Sequence, residues 1–329
     1  MTTHTTRDEY WDLVKALLIF LVIWGHCIQF IQAPFHRGAT YFWDTPFFKG
    51  IYLFHMPPFM FVSGYFAAAS IRKRGLTSLR RYACRLLIPC ASYGLMHIGL
   101  TRSLQPLSSY LYKFTILWFL IVVFENTCIY YLFRQYTSIT HRILILILTA
   151  LVFTVFNHFY PLPTIDQLAY LCPFFMVGAV LNERGFKSSH ISKWMSLLIL
   201  PVIPLAFIVP KQLFVYITPP NLSSQALIYD LIRTGIAAVI GAGFLGLVQC
   251  LRPFLQHQLL QKIAQATLAL YFLQTQLFSS AKTVLPNGIA LSHLATFSLS
   301  ILLLLMLYTL YSVLRKIPFL PFLLFGEKK

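Results

Sequence analysis

Apolar residues run along this chain in long blocks, and short polar stretches separate them. A helix needs about 20 apolar residues to cross a bilayer. By that measure about ten spans are predicted, at roughly 11–32, 46–70, 86–104, 113–133, 143–160, 166–182, 194–210, 226–250, 262–280 and 290–314. The sixth and seventh are short, which leaves room for a different tilt or a partly re-entrant path. No polar stretch is long enough for a soluble domain, and no internal repeat is visible. Residues 1–329 are therefore expected to form one unit, an all-α polytopic integral membrane bundle.

Composition points the same way. Hydrophobic residues make up 58% of the chain and charged residues 11%, whereas an ordinary soluble domain is about 25% charged. Mean hydropathy is +0.71. These values exclude a soluble globular protein, which could not hide that much apolar surface, and a disordered one, which needs low hydrophobicity. The formal net charge is +17. In a soluble protein that excess would suggest nucleic acid. In a membrane protein Lys and Arg collect on the cytoplasmic side, and no nucleic-acid partner is expected. With ten spans, only Arg37, Lys49, Arg102, Lys113, Lys211 and Lys282 fall on the opposite side, while Lys15 and Arg233 lie within spans. This asymmetry predicts cytoplasmic termini. The cysteines show no CxxC spacing and sit mostly in apolar runs, so neither disulfides nor a metal site is expected. The lead-in RDEYWDLVK mixes both charge signs and no A-x-A site follows the first block. The first span is expected to be retained rather than cleaved.

Ionisable groups inside spans are costly, so each is a candidate for function. In WDLVKALLIFLVIWGHCIQF, Lys15 is near the cytoplasmic end and can snorkel. His26 cannot; it lies about 22 Å along the helix from Trp11, at 1.5 Å per residue. His55 lies in the second block, PFFKGIYLFHMPPFMFVSGYFAAAS, about 13 Å from Pro46 by the same rise. The two histidines are thus expected at similar depth on antiparallel neighbours. Pro57 and Pro58 remove backbone donors beside His55, so freed carbonyls there must find partners in protein or water, and a broken helix beside a histidine is what a buried polar site looks like. Two structural histidines bonded to carbonyls is the plainer alternative.

Ser63, Gly64 and Tyr65 lead into IRKRGLTSLRRYACR, which holds Arg72, Lys73, Arg74, Arg80, Arg81 and Arg85. This cluster is either a topology signal or a phosphate site, since guanidinium forks bind phosphate well. A ligand with phosphates at the cytosolic mouth and a reactive tail reaching His26 would use Lys15 as well. Acyl-coenzyme A has that shape. Glu125 stands mid-span and needs a partner or a proton. Asp230 and Arg233 can pair locally at i,i+3, although Arg233 could also face an acceptor. GAGFLG at 241–246 reads as close helix packing.

These same residues carry a family resemblance. Asp12, Lys15 and the Gly25-His26 pair resemble the first-helix motif of the membrane acyltransferase-3 family, in its fucose 4-O-acetylase-like branch. FHMPPFMFVSGYF at 54–66 is similar to the family's second-helix pattern, and RRYACRLLIPC at 80–90 to the Arg-rich start of its third helix. LWFL at 117–120 and PFFMVGAVL at 173–181 are weaker echoes. Members often carry a His late in the chain, after a Tyr, and here TLALYFLQTQ has Gln274 at that place.

The resemblance implies a membrane O-acyltransferase of the bacterial inner membrane. It would move an acyl group, usually acetyl, from cytosolic acyl-coenzyme A to a hydroxyl of a sugar or cell-surface glycan. His26 would be the general base or a transient acyl carrier, with His55 orienting it or donating to the oxyanion. Lys15 and the arginines would hold the phosphates, and Ser63 and Tyr65 the pantetheine path. Asp12, Glu125, Arg233 and Gln274 remain as acceptor-side or structural polar groups. The embedded charges alone also suit a transporter or proton-coupled carrier, or a non-catalytic glycan-assembly component.

Overall fold

In the computed structural model of the chain, the described residues are 8–33, 42–43, 45–100, 115–134, 138, 140–141, 144, 148–149, 152, 164–210, 224–255, 258–285 and 288–327. Most of the fifth predicted block, 143–160, lies outside them. The described residues are mostly helical. Among the described residues, three helices are long and apolar enough to cross a membrane: Glu9–Phe30, Ile228–Leu255 and His293–Leu314. Trp118–Phe133 and Lys193–Ile208 are shorter apolar stretches.

Helix α1, Glu9–Phe30, starts where the Asp8 carboxylate accepts the Tyr10 amide at 3.1 Å, a cap that satisfies one orphan donor. It runs through the middle of the fold. Trp11, Leu18, Ile19, Ile23 and Cys27 are fully buried, as expected of a central helix packed by neighbours on most sides.

The second predicted span does not form one helix. It breaks into α2, Pro46–Tyr52, and α3, Met56–Arg74. Pro57 and Pro58 explain the break. A continuous helix would ask their amides to bond the carbonyls of Leu53 and Phe54, and proline has no amide hydrogen. At the start of a new helix that loss is harmless. Gly75, at φ +51°, ends α3 and turns the chain into α4, Leu76–Leu100.

Helices α5, Trp118–Phe133, and α6, Ile165–Glu183, follow. Next come a 3-10 helix, Lys193–Ile199, and the short α7, Val202–Ile208. The seventh predicted span is therefore two short pieces rather than one helix. Helix α8, Ser224–Leu255, is the longest. The ninth predicted span divides at Ala266 into α9, Gln258–Gln265, and α10, Thr267–Val284. Helix α11, His293–Leu314, is followed by α12, Leu320–Phe325. Two-residue strands β1, Gln32–Ala33, and β2, Ile289–Ala290, pair in parallel. They tie the end of α1 to the start of α11.

Two close approaches set the packing. A methyl on Gly64 would strike the Phe175 carbonyl, and one on Gly178 the Phe61 carbonyl. Helices α3 and α6 therefore meet backbone to backbone across a reciprocal glycine pair. The 3-10 segment lies on α8 at Gly243 and Gly246 in the same way, the close packing expected of GAGFLG. Outward-facing Trp194, Phe207, Ile208, Leu231 and Leu294 are largely exposed, as suits a surface whose solvent is lipid.

Candidate active site

One face of α1 lines two cavities in succession. Asp8, Asp12, Lys15, Ile19 and Val22 border a cavity of about 1320 Å³. Val22, His26, Gln29 and Phe30 border a second, of about 270 Å³. The spacing of three or four residues is that of a helix face. Lys15 and His26 are eleven residues apart, so they share the face and stand about 16 Å apart along the axis. Helix α3 contributes a matching face, Met56, Phe59, Ser63, Phe66 and Ser70, to the large cavity. Helix α4 adds Thr77, Arg80, Arg81, Cys84 and Arg85, and its arginines make one end of that cavity strongly basic.

The small chamber holds both candidate histidines, with Trp43, Tyr52, Trp118, Thr275, Phe278 and Ser279 around them. His26 Nδ1 lies 2.9 Å from Gln274 Oε1. The amide oxygen can only accept, so Nδ1 carries the proton and a neutral ring keeps its lone pair on Nε2. Phe30 and Phe278 rings hold the imidazole, at 5.4 and 5.5 Å between centroids. His55 is buried, and its Nδ1 donates to the Ile51 carbonyl at 2.8 Å. That carbonyl lies at the break between α2 and α3. A neutral His55 in this tautomer has no second N–H, so donating to an oxyanion would require its charged form.

The remaining predicted residues fall into two groups. Lys15 pairs with the buried Asp12 carboxylate at 2.8 Å, and its ammonium sits 5.2 Å over the Phe66 ring. Lys15, Asp12, Ser63, Arg80, Arg81 and Arg85 all line the large cavity. Ser63 Oγ also donates to the Phe59 carbonyl at 2.8 Å. Tyr65 and the run Arg72, Lys73, Arg74 lie outside the lining. Tyr65 donates to the Phe186 carbonyl at 2.7 Å and packs 4.8 Å from the Trp11 ring. Arg72, Lys73 and Arg74 are exposed on the last turn of α3. The turn at Gly75 separates them from the arginines of α4.

Glu125 and Arg233 border neither cavity. Glu125 is half-buried, and its Oε2 has no hydrogen-bond partner among the described residues. Arg233 is buried, bonds Asp230 at 3.0 Å and stacks 4.8 Å over the Tyr170 ring, which is the local pairing expected of an i,i+3 couple.

Several residues of the site escape sequence reasoning. Val22, Met56 and Tyr271 border both cavities. Tyr311, Arg315 and Glu327, from the C-terminal end, reach the large cavity. Tyr311 donates to Glu327 Oε1 at 2.9 Å, and Arg315 Nε is 3.7 Å from Oε2. Glu327 arrives there because α12 folds back onto α4. Gly326, at φ +62°, touches the Cys84 and Arg85 backbone. The α1 spacing did hold a signal, since Val22 continues the face from Lys15 to His26.

Comparison with known proteins adds the family. The chain is 27% identical to nodulation protein NolL of Mesorhizobium japonicum over 301 residues, covering 83% of this chain and 77% of that one. It is 28% identical to nodulation protein NolL of Sinorhizobium fredii over 301 residues, covering 83% and 78%. No solved structure matches. The family model described as acyltransferase domain matches residues 8–314, from the cap of α1 to the end of α11. The chain, with its membrane-length apolar helices, is an acyltransferase and belongs to this family.

Proposed function

We propose that this enzyme is an O-acetyltransferase that moves acetyl from acetyl-coenzyme A to a hydroxyl of a sugar or cell-surface glycan in the bacterial inner membrane. One observation carries the reading: a single face of α1 runs from the basic mouth of the large cavity, past Lys15, to His26 in the small chamber. Diphosphate and 3′-phosphate groups suit Arg80, Arg81, Arg85 and Lys15, because charge-assisted hydrogen bonds are the strong ones. The interval from Lys15 to His26 is comparable to the reach of an extended pantetheine arm. The apolar middle of the cavity, at Ile19, Phe59 and Phe119, suits such an arm better than it suits water. The mouth and both termini are assigned to the cytoplasm by the positive-inside rule, and residues 1–329 act as a single membrane unit.

The chamber supplies what an acceptor sugar needs. Trp43, Trp118 and Tyr52 offer flat apolar faces, while Gln29, Thr275 and Ser279 offer polar edges. His26 Nε2 takes the proton of the acceptor hydroxyl as its oxygen attacks the thioester carbonyl. The new C–O bond forms, the C–S bond breaks, and the imidazolium returns the proton to the leaving thiolate. In the variant route Nε2 attacks the thioester carbonyl, the C–S bond breaks and the thiolate leaves; the hydroxyl oxygen then attacks the acyl-imidazolium, the N–C bond breaks, and the hydroxyl proton ends on the thiolate. Both routes need the tautomer that Gln274 imposes. His55 Nε2, in the same chamber, is suited to accept a hydrogen bond from the sugar.

The test uses purified full-length protein in lipid nanodiscs, with radiolabelled acetyl-coenzyme A and methyl glycosides as acceptors. Wild type is expected to bind the donor and label an acceptor. His26→Ala should still bind but lose about 10²-fold or more in transfer, the usual worth of a general base. An acyl-enzyme trapped in the absence of acceptor would select the carrier route. Full activity in His26→Ala would sink the assignment. Absence of acyl-coenzyme A binding in wild type would make the Lys15-to-His26 face a carrier path instead.

A further inference from the structure

Where the two cavities meet, three side chains border both: Val22 from α1, Met56 from α3 and Tyr271 from α10. Each belongs to a different helix, so three helices contribute to the junction. Val22 and Met56 are each only 5% exposed. Tyr271 is braced edge-on by Phe119, at 5.9 Å and 70°. The side chains that the two cavities share thus form a largely apolar collar. Val22 stands one turn before His26 on the same face, about 6 Å along the axis.

We infer that this collar sets the length of the acyl group the enzyme accepts, and that it selects acetyl over longer chains. The inference rests on the donor reading given above. For the thioester carbonyl to reach His26, the pantetheine arm must pass through the collar. The rest of the acyl group then lies beyond it, in a chamber of about 270 Å³. That space must also admit the attacking hydroxyl and its ring. An acetyl methyl leaves room for both. A butyryl tail must fill the acceptor's place or fold back between Val22, Met56 and Tyr271. Met56 is the adjustable member, because an unbranched thioether fills irregular gaps and moves readily. It stands at the first turn of α3, anchored by Pro57 and Pro58, so its backbone is fixed while its side chain is not.

The experiment compares acetyl-, butyryl- and hexanoyl-coenzyme A as donors for purified full-length protein. Release of free coenzyme A thiol is read with water and methyl glucoside as acceptors, and donor binding is measured alongside. The variants are Val22→Ala, Met56→Ala and Met56→Phe. Wild type should favour acetyl over butyryl by about tenfold or more, the range a methylene commands in a tight apolar pocket. Val22→Ala and Met56→Ala should each lower that ratio several-fold. Met56→Phe, which narrows the collar, should cut thiol release while donor binding persists. Retained donor binding certifies that a variant is folded, and Val22→Ala decides if Met56→Ala is not. An acetyl-to-butyryl ratio that stays at the wild-type value in the folded alanine variants overturns the collar alone. A wild type that uses butyryl as well as acetyl does the same. If wild type releases thiol from no acyl-coenzyme A, the donor reading fails and the collar with it.

Discussion

His26 Nδ1 and Gln274 Oε1 lie 2.9 Å apart, although 248 positions separate the two residues in the chain. Gln274 is fully buried, and with its Oε1 toward the ring it takes the proton-bearing Nδ1 and leaves Nε2 as the imidazole's acceptor. Second partners that set the tautomer of a working histidine matter to rate as well as to packing. Gln274→Leu should therefore lower the transfer rate at saturation by about 10²-fold, within the range assigned to general-base catalysis. The KM for donor should change little, because Gln274 borders neither cavity. Gln274→Glu keeps an acceptor at the same place and should retain most of the rate. If the leucine variant turns over normally, the hydrogen bond only packs the core.

That pair also shows where sequence reading stops. The Lys15-to-His26 face was legible, because helix periodicity alone puts residues eleven apart on one side. The break beside His55 was foreshadowed by Pro57 and Pro58, which cannot donate. The likeness of residues 7–90 to one family was legible in three short motifs. The partner of His26 was not, because which way an apolar helix such as α10 rotates is decided by packing against its neighbours. The basic cluster read as one patch for a related reason. Nothing in IRKRGLTSLRRYACR says that the backbone reverses at Gly75 and leaves only Arg80, Arg81 and Arg85 toward the cavity. The return of α12 onto α4 was invisible too, since PFLLF carries no signal of its target.

The split of the basic cluster makes a direct prediction. Removing Arg80, Arg81 and Arg85 together should weaken acetyl-coenzyme A binding by about 10²-fold or more, since hydrogen bonds to charged groups are worth about 1.5–3 kcal/mol each. Removing Arg72, Lys73 and Arg74 together should change it by no more than about threefold, because, although both triads are exposed, these three lie outside the cavity lining and act only through their net charge. Equilibrium binding on the two triple variants at one ionic strength checks this. Equal losses would mean that the cluster acts through its net field rather than through a site.

Glycine substitution should have opposite signs at two places. A Cβ on Gly64 would meet the Phe175 carbonyl, and neither helix backbone can yield cheaply. Gly64→Ala should destabilise by at least about 1–3 kcal/mol, the usual cost of overpacking. Gly235, on α8, has nothing within 4 Å of the same position. There Gly235→Ala should stabilise by up to about 1 kcal/mol through helix propensity alone. Thermal unfolding of both variants in one detergent, followed by tryptophan fluorescence, decides. A Gly64→Ala protein as stable as wild type would mean that α3 and α6 are not in backbone contact.

Glu327 brings a carboxylate to the cavity that Arg80, Arg81, Arg85 and Arg315 make basic. It is held by the Tyr311 hydroxyl at 2.9 and 3.1 Å and by Arg315 at 3.7 Å. A bound phosphate would compete with it for Arg315 and be repelled by its charge. Glu327→Gln keeps an acceptor for Tyr311 but removes the charge. Acetyl-coenzyme A should then bind about threefold more tightly, in line with up to about 1 kcal/mol for a partly exposed charge. The gain should shrink as ionic strength rises, because screening acts on the repulsion as well as on the attraction. Binding isotherms for wild type and Glu327→Gln at low and high salt give the answer. Weaker binding in the variant would mean that Glu327 serves the site by steadying Arg315, and that the C-terminal segment is part of the donor cradle rather than a competitor for it.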